Sequence, residues 1–253
     1  MSFIWAMVVR NLKVEWSSPR AAFLRMVLQP ATYLFVFGHV LGRMLRTESG
    51  GDYAAVMAPG VMAISVMSAP YMVVGSTVLT GFYFRTMEAW LLAPTRTREL
   101  LIALTLSGAV YGTVSTAVVG LLVWLILGIA PRSFGFPLFL CAAGSLFFSL
   151  LSVVVLLAPA TPKRGQDVMS LATMPMTYFG CTFYSLAMLA RPFDILALLL
   201  PTTYLSEGLR AAYLPQGGAL PGHWVLAGVL GATAILIPIA DRVASHRLRN
   251  FTW

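Results

Sequence analysis

Five stretches of this 253-residue chain contain no Asp, Glu, Lys or Arg: 53–84, 100–131, 133–162, 168–190 and 211–240. A sixth, 26–42, is shorter but nearly long enough to span. About 20 consecutive apolar residues in a helix cross the hydrocarbon of a bilayer, and a soluble core helix has little use for such length. The chain therefore reads as an all-α integral membrane protein. Hydrophobic residues make up 58% of it and charged residues 10%. Six spans and their connectors take up nearly all the residues, so one membrane domain over 1–253 is expected, with no separate soluble domain.

The basic excess is read in the same light. Seventeen Lys and Arg stand against nine Asp and Glu, a formal charge of +8. In a soluble chain that excess points toward nucleic acid; here it fits topology and anionic lipid, and no nucleic-acid partner is expected. With the N-terminus inside, the inside segments hold Arg10, Lys13, Arg20, Arg25, Arg85, Arg96, Arg98, Lys163, Arg164, Arg242, Arg247 and Arg249. The outside segments hold Arg43, Arg46, Arg132, Arg191 and Arg210. Twelve against five favours both termini in the cytoplasm and an even number of spans. The spans are expected at 22–42, 54–80, 101–127, 137–158, 168–186 and 223–241. Residues 3–9 are not expected to form a cleavable signal, because Arg10 and Lys13 follow the apolar run rather than precede it. Cys141 and Cys181 lie in apolar runs and read as two free, packed thiols, with a disulfide as the alternative.

Three connectors carry information. Over residues 1–20, Trp5, Val8, Val9, Leu12 and Trp16 recur at helical spacing, with Arg10, Lys13 and Glu15 off that stripe. This predicts an amphipathic helix on the cytoplasmic surface, ended near Ser18-Pro19. The loop 85–99 predicts a short helix through Met87–Leu92 that stops before Pro94. Met87, Trp90, Leu91 and Leu92 beside Glu88 form an apolar patch with one acid, a composition suited to docking. The third connector, 187–222, is too long for a plain outer loop and too apolar to lie free in water. Segments 193–200 and 203–213 predict two short helices, separated at Pro201, that re-enter the outer leaflet. Glu207 and Arg210 share a helical face there.

Catalytic and ion-coupled chemistry finds little support. His39, His223 and His246 are far apart, with neither His-Glu-x-x-His nor metal-ligand spacing. Glu88, Glu99, Asp167 and Asp241 all fall at cytoplasmic span ends, so no span carries an acid near its midpoint. Neither Lys13 nor Lys163 sits in a Gly-x-x-x-x-Gly-Lys-Ser/Thr loop, so the chain is not expected to hydrolyse ATP itself. Gly38-x-x-x-Gly42 and Gly108-x-x-x-Gly112 allow close helix approach and offer a dimer contact as one use.

Ala58-Pro59-Gly60, the loop pattern Glu88…Leu91-Leu92-Ala93-Pro94-Thr95…Arg98, Tyr178-Phe179-Gly180…Phe183-Tyr184-Ser185 and Leu200-Pro201…Tyr204…Glu207-Gly208-Leu209-Arg210 follow one another in order. Together they resemble the membrane subunit of an ABC transporter of the type-2 exporter superfamily, nearest the small bacterial permeases grouped with nodulation-factor and polysaccharide exporters. The resemblance implies a bacterial inner-membrane half-transporter. Two six-span subunits would work with two ATPases on separate chains, which bind the ATP and Mg; this chain would hold no cofactor. It also implies that the surface helix (Arg10, Lys13) and the loop (Arg85, Glu88, Trp90, Leu91, Pro94, Arg98) meet the ATPase. Tyr184, Pro201, Tyr204, Glu207 and Arg210 would belong to the outer re-entrant region. Tyr71, Tyr178 and Phe179 are chosen as aromatic cargo-path residues, the two tyrosines because a buried hydroxyl wants a partner. Relatives carry lipid-linked glycans, lipo-oligosaccharides, polysaccharides and hydrophobic drugs, so the cargo is left at an amphiphile. A second copy of the chain is the default partner, because symmetric oligomers are common. The competing readings are an ATP-independent channel or scaffold that recruits a cytoplasmic partner, and a membrane-embedded transferase.

Overall fold

The computed structural model describes residues 3–42, 53–86, 90, 96–215 and 217–249. Helix α1 (Phe3–Glu15) leads into α2 (Pro19–Tyr33), which runs on as a π-helical stretch over Leu34–Leu41. The long helices α3 (Tyr53–Tyr83), α4 (Thr97–Leu127) and α5 (Gly135–Leu157) follow. Next come α6 (Pro162–Phe179), a single 3-10 turn at Leu186–Met188, the short α7 (Phe193–Leu198) and α8 (Pro201–Tyr213), and α9 (Gly222–Arg249). Local chemistry sets several boundaries. Pro19, Pro162 and Pro201 open their helices, where a missing N–H costs nothing. The Thr161 hydroxyl accepts from the Arg164 amide at 3.4 Å to cap α6. Gly128, at φ 70°, ends α4 and donates its amide to the Trp124 carbonyl at 3.0 Å.

Among the described residues, five helical segments are long and apolar enough to cross a membrane: Pro19–Val40, Tyr53–Tyr83, Thr97–Leu127, Gly135–Leu157 and Gly222–Arg247. The chain is an all-helical membrane protein. The span expected at 168–186 differs from its sequence reading. Helix α6 begins six residues earlier, takes in Lys163, Arg164 and Asp167, and stops at Phe179. It stops because the chain turns sharply through Gly180 and Cys181, the latter at φ 53°, and Thr182 donates its hydroxyl back to the Thr177 carbonyl.

Helix α3 lies at the centre, packed on α4, α5 and α8. Met57, Val61, Val66, Phe148, Leu140, Leu205 and Leu209 fill the space between them. Lipid tails are as apolar as this interior, so burial alone does not hold such a bundle; close approach and internal hydrogen bonds do. A Cβ on Gly112 would lie 2.6 Å from Pro70 Cγ and 2.8 Å from Ser145 Oγ, and one on Gly108 would overlap Ser149. This glycine pair thus seats α4 against α3 and α5 of its own chain. Several span hydroxyls are satisfied along their own helices: Ser107, Thr116, Ser152 and Thr233 each donate to the carbonyl four residues back. Cys141 and Cys181 are buried free thiols.

Ala58-Pro59-Gly60 has a physical reason at its last residue. A Cβ on Gly60 would overlap the Thr182 main chain, so α3 and the turn after α6 touch backbone to backbone. Gly60→Ala is expected to destabilise the folded protein by roughly 1–3 kcal/mol or more through overpacking. Gly228→Ala, where a Cβ meets nothing within 4 Å, should leave stability unchanged. Thermal melts of the two purified variants check the contrast.

Candidate functional site

The side chains with chemical character gather at the two ends of the bundle. At the end where α3 begins, α8 carries Glu207 and Arg210 on one face, both with no exposed surface. Arg210 Nη1 donates to Glu207 Oε1 at 2.8 Å, Nε to the Val56 carbonyl at 2.8 Å, and Nη2 to the Thr182 carbonyl at 3.2 Å. Glu207 Oε1 also accepts from the Leu186 amide at 2.8 Å and the Ser185 hydroxyl at 3.3 Å, and Oε2 accepts from the Ala219 amide at 2.8 Å. The pair thus ties α8 to the start of α3, to the segment after α6 and to the loop before α9. Tyr184 donates to the Tyr178 carbonyl at 3.1 Å and Tyr204 to the Leu198 carbonyl at 2.9 Å, while Pro201 opens α8. The five residues expected to share this region do lie together in the fold. Helices α7 and α8 start and stop within a few residues of the expected pair.

At the opposite end, α1 lies against α4. Trp5 and Trp16 are exposed, whereas Met7, Val8, Asn11 and Glu15 face the bundle. Two polar residues at positions i and i+4 turn inward because the spans offer them partners. Asn11 Nδ2 donates to Ser107 Oγ at 3.1 Å. Ser76 Oγ donates to Glu15 Oε1 at 2.7 Å, and Arg25 Nη2 stands 3.6 Å from Glu15 Oε2. Sequence reasoning missed these contacts; the i, i+4 placement beside Met7 and Val8 was the available signal. The Arg10 guanidinium lies over the Trp90 ring, 4.6 Å from its centroid, so α1 touches the loop after α3 directly. Lys13 and Arg85 are exposed, and Arg85, at φ 53°, turns the chain out of α3. Arg98 makes a bidentate pair with Asp241 of α9, at 3.0 and 2.9 Å, with most of its side chain still exposed. Glu88, Leu91 and Pro94 lie outside the described residues.

The three aromatic residues chosen for a cargo path do not converge. Tyr71 packs with Val74, Leu104 and Met7 toward the α1 end. Tyr178 and Phe179 are more than half exposed on α6, and Tyr178 stacks on Phe183 at 6.1 Å. No cluster of three or more His, Cys, Asp or Glu suited to a metal ion occurs among the described residues.

Removing one partner of a buried pair strands the other charge and costs about 3–5 kcal/mol. Glu207→Leu and Arg210→Met should each unfold the region around α8, seen as lowered melting temperature and faster proteolysis. The double variant should cost less than the sum of the two, a coupling that a double-mutant cycle measures.

A family model described as "ABC-2 type transporter" matches residues 2–214. The inner membrane transport permease YadH of Escherichia coli (strain K12) is 28% identical over 216 residues, covering 80% of this chain and 82% of its own length. Nodulation protein J of Sinorhizobium fredii (strain NBRC 101917 / NGR234) is 28% identical over 229 residues, covering 87% and 85%. Nodulation protein J of Bradyrhizobium diazoefficiens is 28% identical over 261 residues, covering 98% and 94%.

Proposed function

The chain belongs to the ABC-2 type transporter family as a membrane permease that lacks the ATPase site, and on that basis we propose that it forms half of the membrane path of an ATP-driven exporter. In this reading the permease lies in the bacterial inner membrane with both termini in the cytoplasm, and α6 serves as the sixth span. At 18 residues α6 is roughly 27 Å long, close to the hydrocarbon thickness. Two copies pair, and two ATPases on separate chains bind the ATP and Mg. The cargo in this reading is an amphiphilic or lipid-linked molecule: a glycolipid, lipo-oligosaccharide, polysaccharide or hydrophobic drug.

The observation that carries the coupling scheme is the convergence of α1, Trp90 and the span ends. A push on the loop from the ATPase reaches Arg10 through Trp90, and then α3, α4 and α2 through Glu15, Asn11 and Arg25. Coupling requires these contacts to differ between two states of the bundle. The Glu207–Arg210 region acts as the outer, re-entrant cap that keeps the far ends of the helices together.

Affinity purification of the tagged chain from its native membrane is expected to bring down a stoichiometric subunit carrying a Walker A loop. Its reproducible absence, with the chain intact, would favour the channel or scaffold reading. Glu15→Gln keeps the side-chain size and removes the charge that Arg25 faces. It is expected to lower cargo export several-fold while permease abundance and bound ATPase stay constant. Unchanged export at equal ATPase occupancy would remove Glu15 from the relay.

A further inference from the structure

A cavity of about 460 Å³ lies between the far halves of α4 and α5, against the end of α8. Its walls include Met62, Gly120, Leu121, Trp124, Leu138 and Cys141. The size is that of small-ligand sites. Water is a poor occupant. The two wall threonines, Thr113 and Thr116, have already committed their hydroxyls to the Ala109 and Gly112 carbonyls at 2.8 Å. A buried water needs two or more polar partners, and apolar cavities of this kind stay dry and accept apolar ligands. In a membrane protein the medium at such an opening is hydrocarbon.

One polar group in the wall, the Tyr213 hydroxyl, and one beside the cavity, the Arg132 guanidinium, are unspent. Tyr213 is 8% exposed, lines the cavity, and its hydroxyl makes no hydrogen bond among the described residues. That hydroxyl lies 3.7 Å from the position a Cβ on Gly120 would take, so it reaches into the space bounded by α4. Arg132 stands at the rim, between the wall residues Pro131 and Phe134, held there by its amide donating to the Ala212 carbonyl at 3.0 Å. Its side chain is exposed and forms no ion pair among the described residues. Trp124 and Phe134 are more than half exposed in the same wall, and Trp is a residue type that sits at headgroup level. Gly120 lies one helical turn, roughly 6 Å, below Trp124.

The order along the site is thus an apolar cavity, then a hydroxyl, then a guanidinium at the rim. We infer that this is a binding site for one anionic phospholipid. An acyl chain fills the cavity, the Tyr213 hydroxyl donates to an ester carbonyl, and Arg132 pairs with the phosphate-bearing head. The inference depends on neither an ATPase nor a cargo assignment.

The test is native mass spectrometry of the full-length complex purified in mild detergent, followed by add-back of phosphatidylglycerol or phosphatidylethanolamine. Wild type is expected to retain one phosphatidylglycerol per chain through washing, and to prefer it by roughly tenfold, as one charge-assisted hydrogen bond allows. Arg132→Gln should abolish that preference with the fold intact. Tyr213→Phe should weaken retention of either lipid. Gly120→Leu, which places a side chain in the cavity, should prevent retention in protein that still elutes and melts like wild type. Wild type free of phospholipid, a preference unchanged in Arg132→Gln, or retention unchanged in folded Gly120→Leu would overturn the assignment. So would efficient disulfide formation between two copies carrying Leu138→Cys, since it would put a second subunit over the opening. None of these readouts involves export, so a failed lipid site and a failed exporter reading are told apart.

Discussion

A glutamate and an arginine with no exposed surface stand three residues apart on α8. Taking either charge out of water costs several kcal/mol, and their mutual attraction offsets this only when the remaining lone pairs and protons also find partners. Here they do. Glu207 accepts from Leu186 and Ala219 as well as from Arg210, and Arg210 donates to the Val56 and Thr182 carbonyls. Those partners belong to segments far apart in sequence, so the cost of burial is met only when all of them are in place. The turn at Gly180–Thr182, the backbone contact of Gly60 with Thr182, and the short helices α7 and α8 depend on one charged pair being satisfied at once.

The other end of the bundle is built differently. Its ion pairs are partly exposed: Arg98 with Asp241, and Arg25 with Glu15, where the arginine is about half exposed. Exposed pairs are worth a fraction of a kcal/mol to about 1 kcal/mol. They orient helices without locking them. One end is therefore fixed by a saturated buried network and the other is held by contacts that can exchange.

Much of this was legible in the sequence. The charge-free runs gave the long helices, because backbone groups in hydrocarbon have no other way to be satisfied. The short pair before the last span was readable from Pro201 and from segments too short to cross. What sequence reasoning misjudged has a common cause. For α1 the apolar stripe was read as the face laid on the membrane surface, and no local pattern showed which residues meet the spans. Against spans that offer Ser107 and Ser76, the polar Asn11 and Glu15 turn inward and the tryptophans face out. The end of α6 was placed late for a related reason. Residues 180–186 are apolar enough to continue a span, but the carbonyl of Thr182 and the amide of Leu186 are claimed by Arg210 and Glu207, which no local pattern reveals. The Arg98–Asp241 pair spans 143 residues and had no local signature either.

Helix α3 joins the two regimes. It runs unbroken for 31 residues, roughly 46 Å. Near its start the Val56 carbonyl accepts from Arg210, and near its other end Ser76 donates to Glu15. An element bonded rigidly at one end and loosely at the other pivots rather than slides. Under the proposed function, a displacement of α1 by the ATPase would swing the Ser76 end of α3 about an anchor at Val56 and Gly60. Pro59 sits within that anchor, and Pro70, also inside α3, lies on the arm of the lever, where a proline removes a backbone hydrogen bond and eases bending. Under the same proposal, this asymmetry would keep the far ends of the helices gathered while the near ends separate, the motion an inward-opening path requires.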